Sequence, residues 1–225
     1  MINVDLWKKI NKMLQSSDRK IELFQCDEVR GINIIKEIGL NNTTTLSTII
    51  ANCAGVIVDD CIRILGQGDV NVHGIYEVNL IENGSANRVM GMLLVAFDIF
   101  GGLFAMNMGA INDEIGVIYY FAPDTLEWES IEMNYSEFLQ WCVLGNISKF
   151  YQSFKWNDWR QMAKEVKFND GILIYPFLWS KEHNINTAEK KIVSFNEEHK
   201  QTITTNYYTK DKKQLIIIER KDDNR

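Results

Sequence analysis

Apolar residues in this chain gather in short runs, each cut off by glycine, asparagine or aspartate. Residues 92–97 (MLLVAF) and 103–106 (LFAM) are two such runs. Both are far too short to cross a membrane. They meet at Gly101-Gly102, a pair that tolerates the positive φ of a tight hairpin turn. Residues 117–121 follow, rich in β-branched and aromatic side chains and closed by Pro123-Asp124, a strand and its turn. Short connections at Gly101-Gly102 and around Asn112-Asp113 predict that these three segments are adjacent antiparallel strands. Residues 56–58 and 62–65, flanking Asp59-Asp60, read as strands, and 78–81 as a further short strand before the E-N-G-S turn. A strand over 125–131 would put Glu127 and Glu129 on one face and Trp128 on the other.

Helical spacing governs both flanks of this region. Over 4–14, Leu6, Ile10, Met13 and Leu14 share a face with Trp7, and Asn3 is placed to cap it. A second helix is expected over 27–37, ending at Gly39. A third is expected over 44–53, with Gly55 as a left-handed C-cap; its β-branched content leaves a strand as the alternative. Tyr135, Phe138, Leu139 and Cys142 make one apolar stripe, with Asn134 and Glu137 in capping-box spacing and Gly145 at the end. Trp159, Met162, Ala163 and Val166 repeat that spacing behind Asn157 as cap. Trp156 and Trp159 suit either helix-to-sheet packing or an exposed anchor pair. Asn169-Asp170-Gly171 then turns the chain into a strand over 172–178, whose Pro176 argues for an edge or a bulge. Two more strands are expected over 202–208 and 215–219, before a frayed K-D-D-N-R tail. The expected architecture is α+β: a single domain with a central, mainly antiparallel sheet flanked by helices. Its parts are a helical 1–54, a sheet core over 55–132, and helices with C-terminal strands over 133–220.

Composition excludes several classes. An apolar fraction of 46% with 24% charged residues is ordinary for a soluble globular chain of 225 residues. The opening M-I-N-V-D-L-W-K-K lacks the basic-then-apolar order of a secretory signal, so a cytoplasmic protein is expected. Cys26, Cys53, Cys61 and Cys142 include no C-x-x-C pair, and His73, His183 and His199 have no ligand partner at helical spacing. Buried thiols are therefore expected, with no metal site and no cofactor. The net charge of −6 is unevenly spread: residues 56–140 hold thirteen Asp/Glu against Arg63 and Arg88 alone, a local −11. Such a field repels nucleic acid and anionic lipid and attracts a basic protein. A solvated surface kept soluble by its acids is the plainer alternative.

Catalytic material is limited to carboxylates. Asp59 and Asp60, if on a strand, point to opposite faces. Asp98, at the end of an apolar strand, is a carboxylate beside a core, where a raised pKa is possible; clasping the turn amides is the structural alternative. Asp124, Glu127, Glu129 and Glu132 form an acidic stripe in one segment, better suited to binding than to catalysis because no nucleophile stands beside it. Gly66, Gly68 and Gly74 lack the lysine and Ser/Thr of a phosphate loop, and no G-x-S-x-G is present. No catalytic residue is assigned. Asp98, Asp124, Glu127, Glu129 and Glu132 are the candidate partner-binding residues.

Four stretches carry a family resemblance: A-G-V-I-V-D-D-C-I-R-I-L-G-Q-G at 54–68, L-L-V-A-F-D-I-F-G-G-L-F-A-M-N at 93–107, V-I-Y-Y-F-A-P-D-T-L-E-W-E at 117–129 and Y-P-F-L-W-S-K-E at 175–182. Over about 45–182 the chain resembles an uncharacterised bacterial family catalogued as a domain of unknown function. In layout it also resembles the SUKH superfamily. The shared points are N-terminal helices, a glycine-containing cap after a short helix (Asn52 to Gly55), a Gly-Gly element among the strands (Gly101-Gly102) and a closing helix, here with S-E-F-L at 136–139. Val56 stands where that superfamily has a second glycine. The resemblance implies an α+β fold and a partner-binding role of the kind held by immunity proteins that neutralise bacterial toxins. It transfers no catalytic residue. The leading expectation is thus a non-enzymatic protein-binding domain, in its specific form an immunity protein facing a basic toxin. A hydrolase or small-ligand enzyme built on Asp98 and one of the 124–132 acids is one alternative. A housekeeping interaction module is the other.

Overall fold

Strands that follow one another in this chain lie side by side, some joined by tight turns and others across intervening helices, and a meander results. A computed structural model describes residues 3–26 and 28–195. Helix α1 (Val4–Gln15) leads into β1 (Ile21–Phe24), α2 (Glu28–Ile38) and α3 (Thr45–Asn52). The sheet continues through β2 (Gly55–Val58), β3 (Ile62–Leu65), the single-turn α4 (Ile75–Val78), β4 (Met92–Asp98), β5 (Leu103–Asn107), β6 (Val117–Ala122) and β7 (Glu127–Asn134). Then come α5 (Tyr135–Leu144), the single-turn α6 (Ile147–Phe150), α7 (Trp159–Ala163), β8 (Asp170–Tyr175) and β9 (Glu189–Ser194). Strands β1 to β7 form one antiparallel sheet in chain order, and β8 pairs with β9 as a separate ribbon. The fold is α+β, as its apolar pattern predicts, and 92–97, 103–106 and 117–121 are consecutive strands.

Both faces of the sheet are covered, so β2 to β6 are buried almost throughout instead of alternating. On one face Ala96, Phe104 and Tyr120 follow one another across the register. Phe104 packs on Phe138 of α5 at 4.9 Å between ring centroids, and Tyr120 on Phe150 of α6 at 4.9 Å. On the other face Phe97 meets Phe168 and Phe195, the residues just before β8 and just after β9. Helix α3 is buried on nearly every side. It can lie so close to α2 because Gly31 has no side chain: a Cβ there would approach the Ile50 carbonyl oxygen to 2.5 Å. Arg19 reaches the far end of α5, donating to the carbonyls of Val143 and Gly145, a cation where the helix dipole is negative.

Capping agrees with expectation at several points. Asn3 accepts from the Leu6 N–H at 3.0 Å. Asn134 accepts from the N–H groups of Ser136 and Glu137 while Glu137 accepts from the Asn134 N–H, the reciprocal box. Gly39 has a φ of +75° beyond α2.

Other expectations are corrected. Gly55 is no helix cap but the first residue of β2, where a Cβ would meet the Phe168 ring at 2.5 Å; Cys53 ends α3 in an extended conformation. The expected strand over 78–81 is instead the end of α4 and its turn. Glu77 accepts from the Gly74 N–H at 3.0 Å, and buried Asn79 occupies both backbone groups of Leu94. Asp59 and Asp60 are in the β2–β3 turn, both at positive φ, and not on a strand. Helix α7 stops at Ala163, short of Val166, and begins after Asp158, at φ +61°, in place of Asn157. The strand expected over 172–178 runs Asp170–Tyr175 and ends at Pro176. Strands β1 and β9 lack an apolar alternation strong enough to announce them; β1 lies inside the expected helical part. The strands over 202–208 and 215–219, the tail and the start of the second helix at Asp27 lie outside the described residues.

Phe138 is fully buried against Phe104, Tyr135 and Trp141. Truncating it to Ala is expected to destabilise the protein by about 3–5 kcal/mol, as for other large buried aromatics. Urea denaturation measures this; a loss below about 1 kcal/mol would mean that the α5 stripe does not seal the sheet.

Candidate functional site

The β4–β5 turn is built around one carboxylate. Asp98, the last residue of β4, is fully buried. Its Oδ1 accepts from the N–H groups of Phe100 at 2.8 Å and Gly102 at 3.0 Å, and its Oδ2 accepts from the Tyr120 hydroxyl at 2.9 Å. The Tyr151 hydroxyl lies near the same carboxylate without a hydrogen bond of ordinary length. Burial pushes the Asp98 pKa up, and the hydrogen bonds from Gly102, Tyr120 and Phe100 oppose the shift. Burial likewise raises the hydroxyls of Tyr120 and Tyr151 and the thiol of Cys61, each with a further push from the Asp98 charge. Gly102 is required here because a Cβ would collide with the Tyr120 hydroxyl and the Asp98 carboxylate, whereas the left-handed residue of the turn is Gly101, at φ +94°.

This geometry does structural work. Held by Asp98, the turn presents Phe100 to Tyr151, Phe154, Trp156 and Trp159, with ring centroids 5.5–6.2 Å away. It also offers the Ile99 carbonyl to the Ile172 N–H of β8 at 2.7 Å. Trp156 and Trp159 therefore serve packing, with Trp159 buried and Trp156 half-buried. Asp98, expected among the partner-binding residues, is thus fully buried within this turn and its hydrogen bonds. The two tyrosines around it are legible in sequence only through register: Tyr120 sits opposite Phe104, and nothing local marks Tyr151.

Many of the other central acids are already engaged. Asp60 pairs with Lys20 at 2.6 Å, raising the Lys20 pKa chiefly through that hydrogen bond. Asp59 takes both terminal nitrogens of Arg160, at 3.1 and 3.0 Å. Glu77 pairs with Arg30. Asp113 accepts from the Tyr119 hydroxyl, which holds its carboxyl below the usual range. Lys20, Arg30 and Arg160 all come from outside residues 56–140, so the folded chain compensates in space part of the charge that its sequence leaves unbalanced.

The outer strand carries a row of exposed acids. β7 is the last strand of the meander. Glu127 and Glu129 are exposed, Trp128 is half-buried against Phe121 at 5.3 Å, and Asp124 is exposed in the preceding turn. Glu129 accepts from the Thr125 hydroxyl at 3.2 Å. The register against β6 slips after Ser130, and Glu132, at φ +55°, lies in the resulting bulge. The structure thus gathers Asp124, Glu127, Glu129 and Glu132 along one edge and sets Asp98 apart in the core. The cysteine thiols Cys53, Cys61 and Cys142 are buried, and Cys26 is half-buried with its thiol 3.9 Å from the Ala51 carbonyl. His183 is turned to the Pro176 carbonyl at 3.0 Å. No group of three or more metal-ligating side chains, and no helix long and apolar enough to cross a membrane, occurs among the described residues.

The family described as "Protein of unknown function DUF2625" matches residues 3–198, a longer span than the four quoted stretches cover. The uncharacterised protein YbfG of Escherichia coli (strain K12) is 29% identical over 194 residues, covering 85% of this chain and 87% of that protein. An uncharacterised protein of Haemophilus influenzae is 24% identical over 204 residues, covering 89% and 86%. No solved structure matches the chain.

The Asp98 geometry predicts two stability effects. Asp98→Ala leaves two turn amides and the Tyr120 hydroxyl without their acceptor, at about 1–3 kcal/mol for each group that water cannot reach. Asp98→Asn keeps an acceptor for the amides and is expected to cost less. Because the folded pKa of Asp98 is raised, its favourable contribution is present below the unfolded value and lost as pH rises through the folded one. The wild type should therefore lose ground to Asp98→Asn between about pH 4 and about pH 7. Denaturation of both proteins at the two pH values checks this, and a gap that moves the other way would refute it.

Proposed function

This chain belongs to the DUF2625 family, and on that premise we propose that it is a non-enzymatic protein-binding domain whose acidic β7 edge receives a basic protein partner. The observation that carries the reading is the spacing of exposed acids along one outer edge of the sheet: Asp124 in the turn, Glu127 and Glu129 on the strand, Glu132 in the bulge. Charges so placed steer a basic surface toward the edge and raise its association rate more than its residence time. The hydrolase alternative needs Asp98 to share a cleft with one of these acids, and the complete burial of Asp98 weighs against it. The specific form of the proposal, an immunity protein neutralising a basic toxin in the cytoplasm, draws on the layout resemblance to the SUKH superfamily. A toxin gene beside this one would support it, and its lack would favour the housekeeping module.

Reversing Glu127, Glu129 and Glu132 to Lys tests the edge. The three side chains are exposed, so folding should change little. Association with a basic partner recovered from the native host should slow at least about tenfold, and the wild-type on-rate should fall steeply with added salt. Partners that bind both forms equally, without salt dependence, would eliminate the acidic-edge reading.

A further inference from the structure

β7 ends the sheet, and among the described residues no strand pairs with its outer side. Alternate residues of such a strand turn their N–H and C=O groups away from the sheet. The two halves of β7 differ in what becomes of those groups. Beyond Ser130 the register against β6 jumps to Met133, and two N–H groups are taken up within the chain. The Glu132 N–H donates to the Ser130 Oγ at 3.2 Å, and the Asn134 N–H donates to Glu137 at 2.9 Å. From Glu127 to Ser130 the pairing with β6 is regular, residue for residue. That run is about 13 Å long, enough for a short strand to be laid against it.

The side chains of the regular run say what such a strand would carry. Glu127 and Glu129 are exposed and share one face of the sheet. Trp128, between them, takes the other face and is half-buried on Phe121. Like charges set against each other destabilise a strand pair, and opposite charges stabilise it. A second copy of this chain, pairing edge to edge, would bring a second set of the same acids to the interface. The edge is therefore built against itself and open to a basic segment. We propose that β7 is a strand-addition site, at which an extended segment of the basic partner pairs with the backbone of 127–130. The segment reads basic, apolar, basic, with its two cations facing Glu127 and Glu129 and its apolar side chain beside Trp128. The inference rests on the acidic-edge reading and adds how the partner is held, by backbone hydrogen bonds as well as by charge.

The probe is a short end-blocked peptide of alternating lysine and valine, titrated into the full chain. Its controls are a block peptide of the same composition and two N-methylated forms of the alternating peptide, one methylated at its lysines and the other at its valines. Methylation keeps the charge and removes the N–H groups along one edge of the added strand. The wild type should bind the alternating peptide saturably and about tenfold more tightly than the block peptide. One methylation pattern should weaken binding at least about tenfold and the other should change it little, because only one edge of the added strand faces β7. Outward amides among 127–130 should exchange their hydrogens more slowly when the alternating peptide is present. Equal binding of the alternating and block peptides, methylated forms that bind as tightly as the parent, or slowed exchange at β1 in place of β7 would each overturn strand addition. Where those peptides still bind in a salt-sensitive way that is lost on reversing Glu127, Glu129 and Glu132 to Lys, the acidic edge stands without the strand. No salt-sensitive binding of any of the peptides would overturn both.

Discussion

A single buried carboxylate organises the half of this protein that faces β8. Asp98 cannot be solvated where it sits, so it must collect donors, and the donors it collects are two turn amides and a tyrosine two strands away. That requirement fixes the path of the β4–β5 turn and forbids a side chain at Gly102. It also sends Phe100 outward as the ring around which four other aromatics pack. An uncompensated buried carboxylate is costly, and one with its lone pairs occupied is a specific constraint on geometry. The same residue that suggests an active site along the linear chain is thus the anchor of a fold.

Charge shows the same gap between chain and space. The window from 56 to 140 looks almost unrelieved in its acidity, yet Lys20, Arg30 and Arg160 fold back onto Asp60, Glu77 and Asp59. Two of those acids, Asp59 and Asp60, occupy left-handed turn positions that aspartate tolerates better than most residues. Their charge then has to be met by bases from other elements. A count along the sequence measures the acids supplied; only the fold decides which of them still face water.

The apolar runs of β4, β5 and β6 and the caps at Asn3 and Asn134 are legible in the sequence because each is a local signal repeated within one element. The same holds for the stripe of α5. Where sequence and structure part, distant contacts override local preference. Residues 78–81 have strand-like side chains, but Asn79 is held by Leu94 of β4 and keeps the segment in a helical turn. Gly55 resembles a helix stop until Phe168, more than a hundred residues later, occupies the space its side chain would need. Strand β1 is only four residues long, too short a run for an alternation to show. For the site, the acids of 124–132 can be read from sequence as a stripe, whereas the bulge that displaces Glu132 depends on the register of β7 against β6.

The outer strand carries two burdens that chemistry can separate. Any exposed sheet edge invites pairing with another chain, and charges together with a bulge are the usual means of refusing it. β7 has both, so its glutamates need no partner to justify their presence. Edge protection, however, is indifferent to sign, because lysine guards an edge as well as glutamate does. Recognition of a basic surface is not indifferent, since only carboxylates attract it. The four acids from Asp124 to Glu132 share one sign, with no base among them along the chain. A uniform sign along the strand is more than an edge needs in order to stay unpaired, and it is what a basic surface would require of the edge it meets.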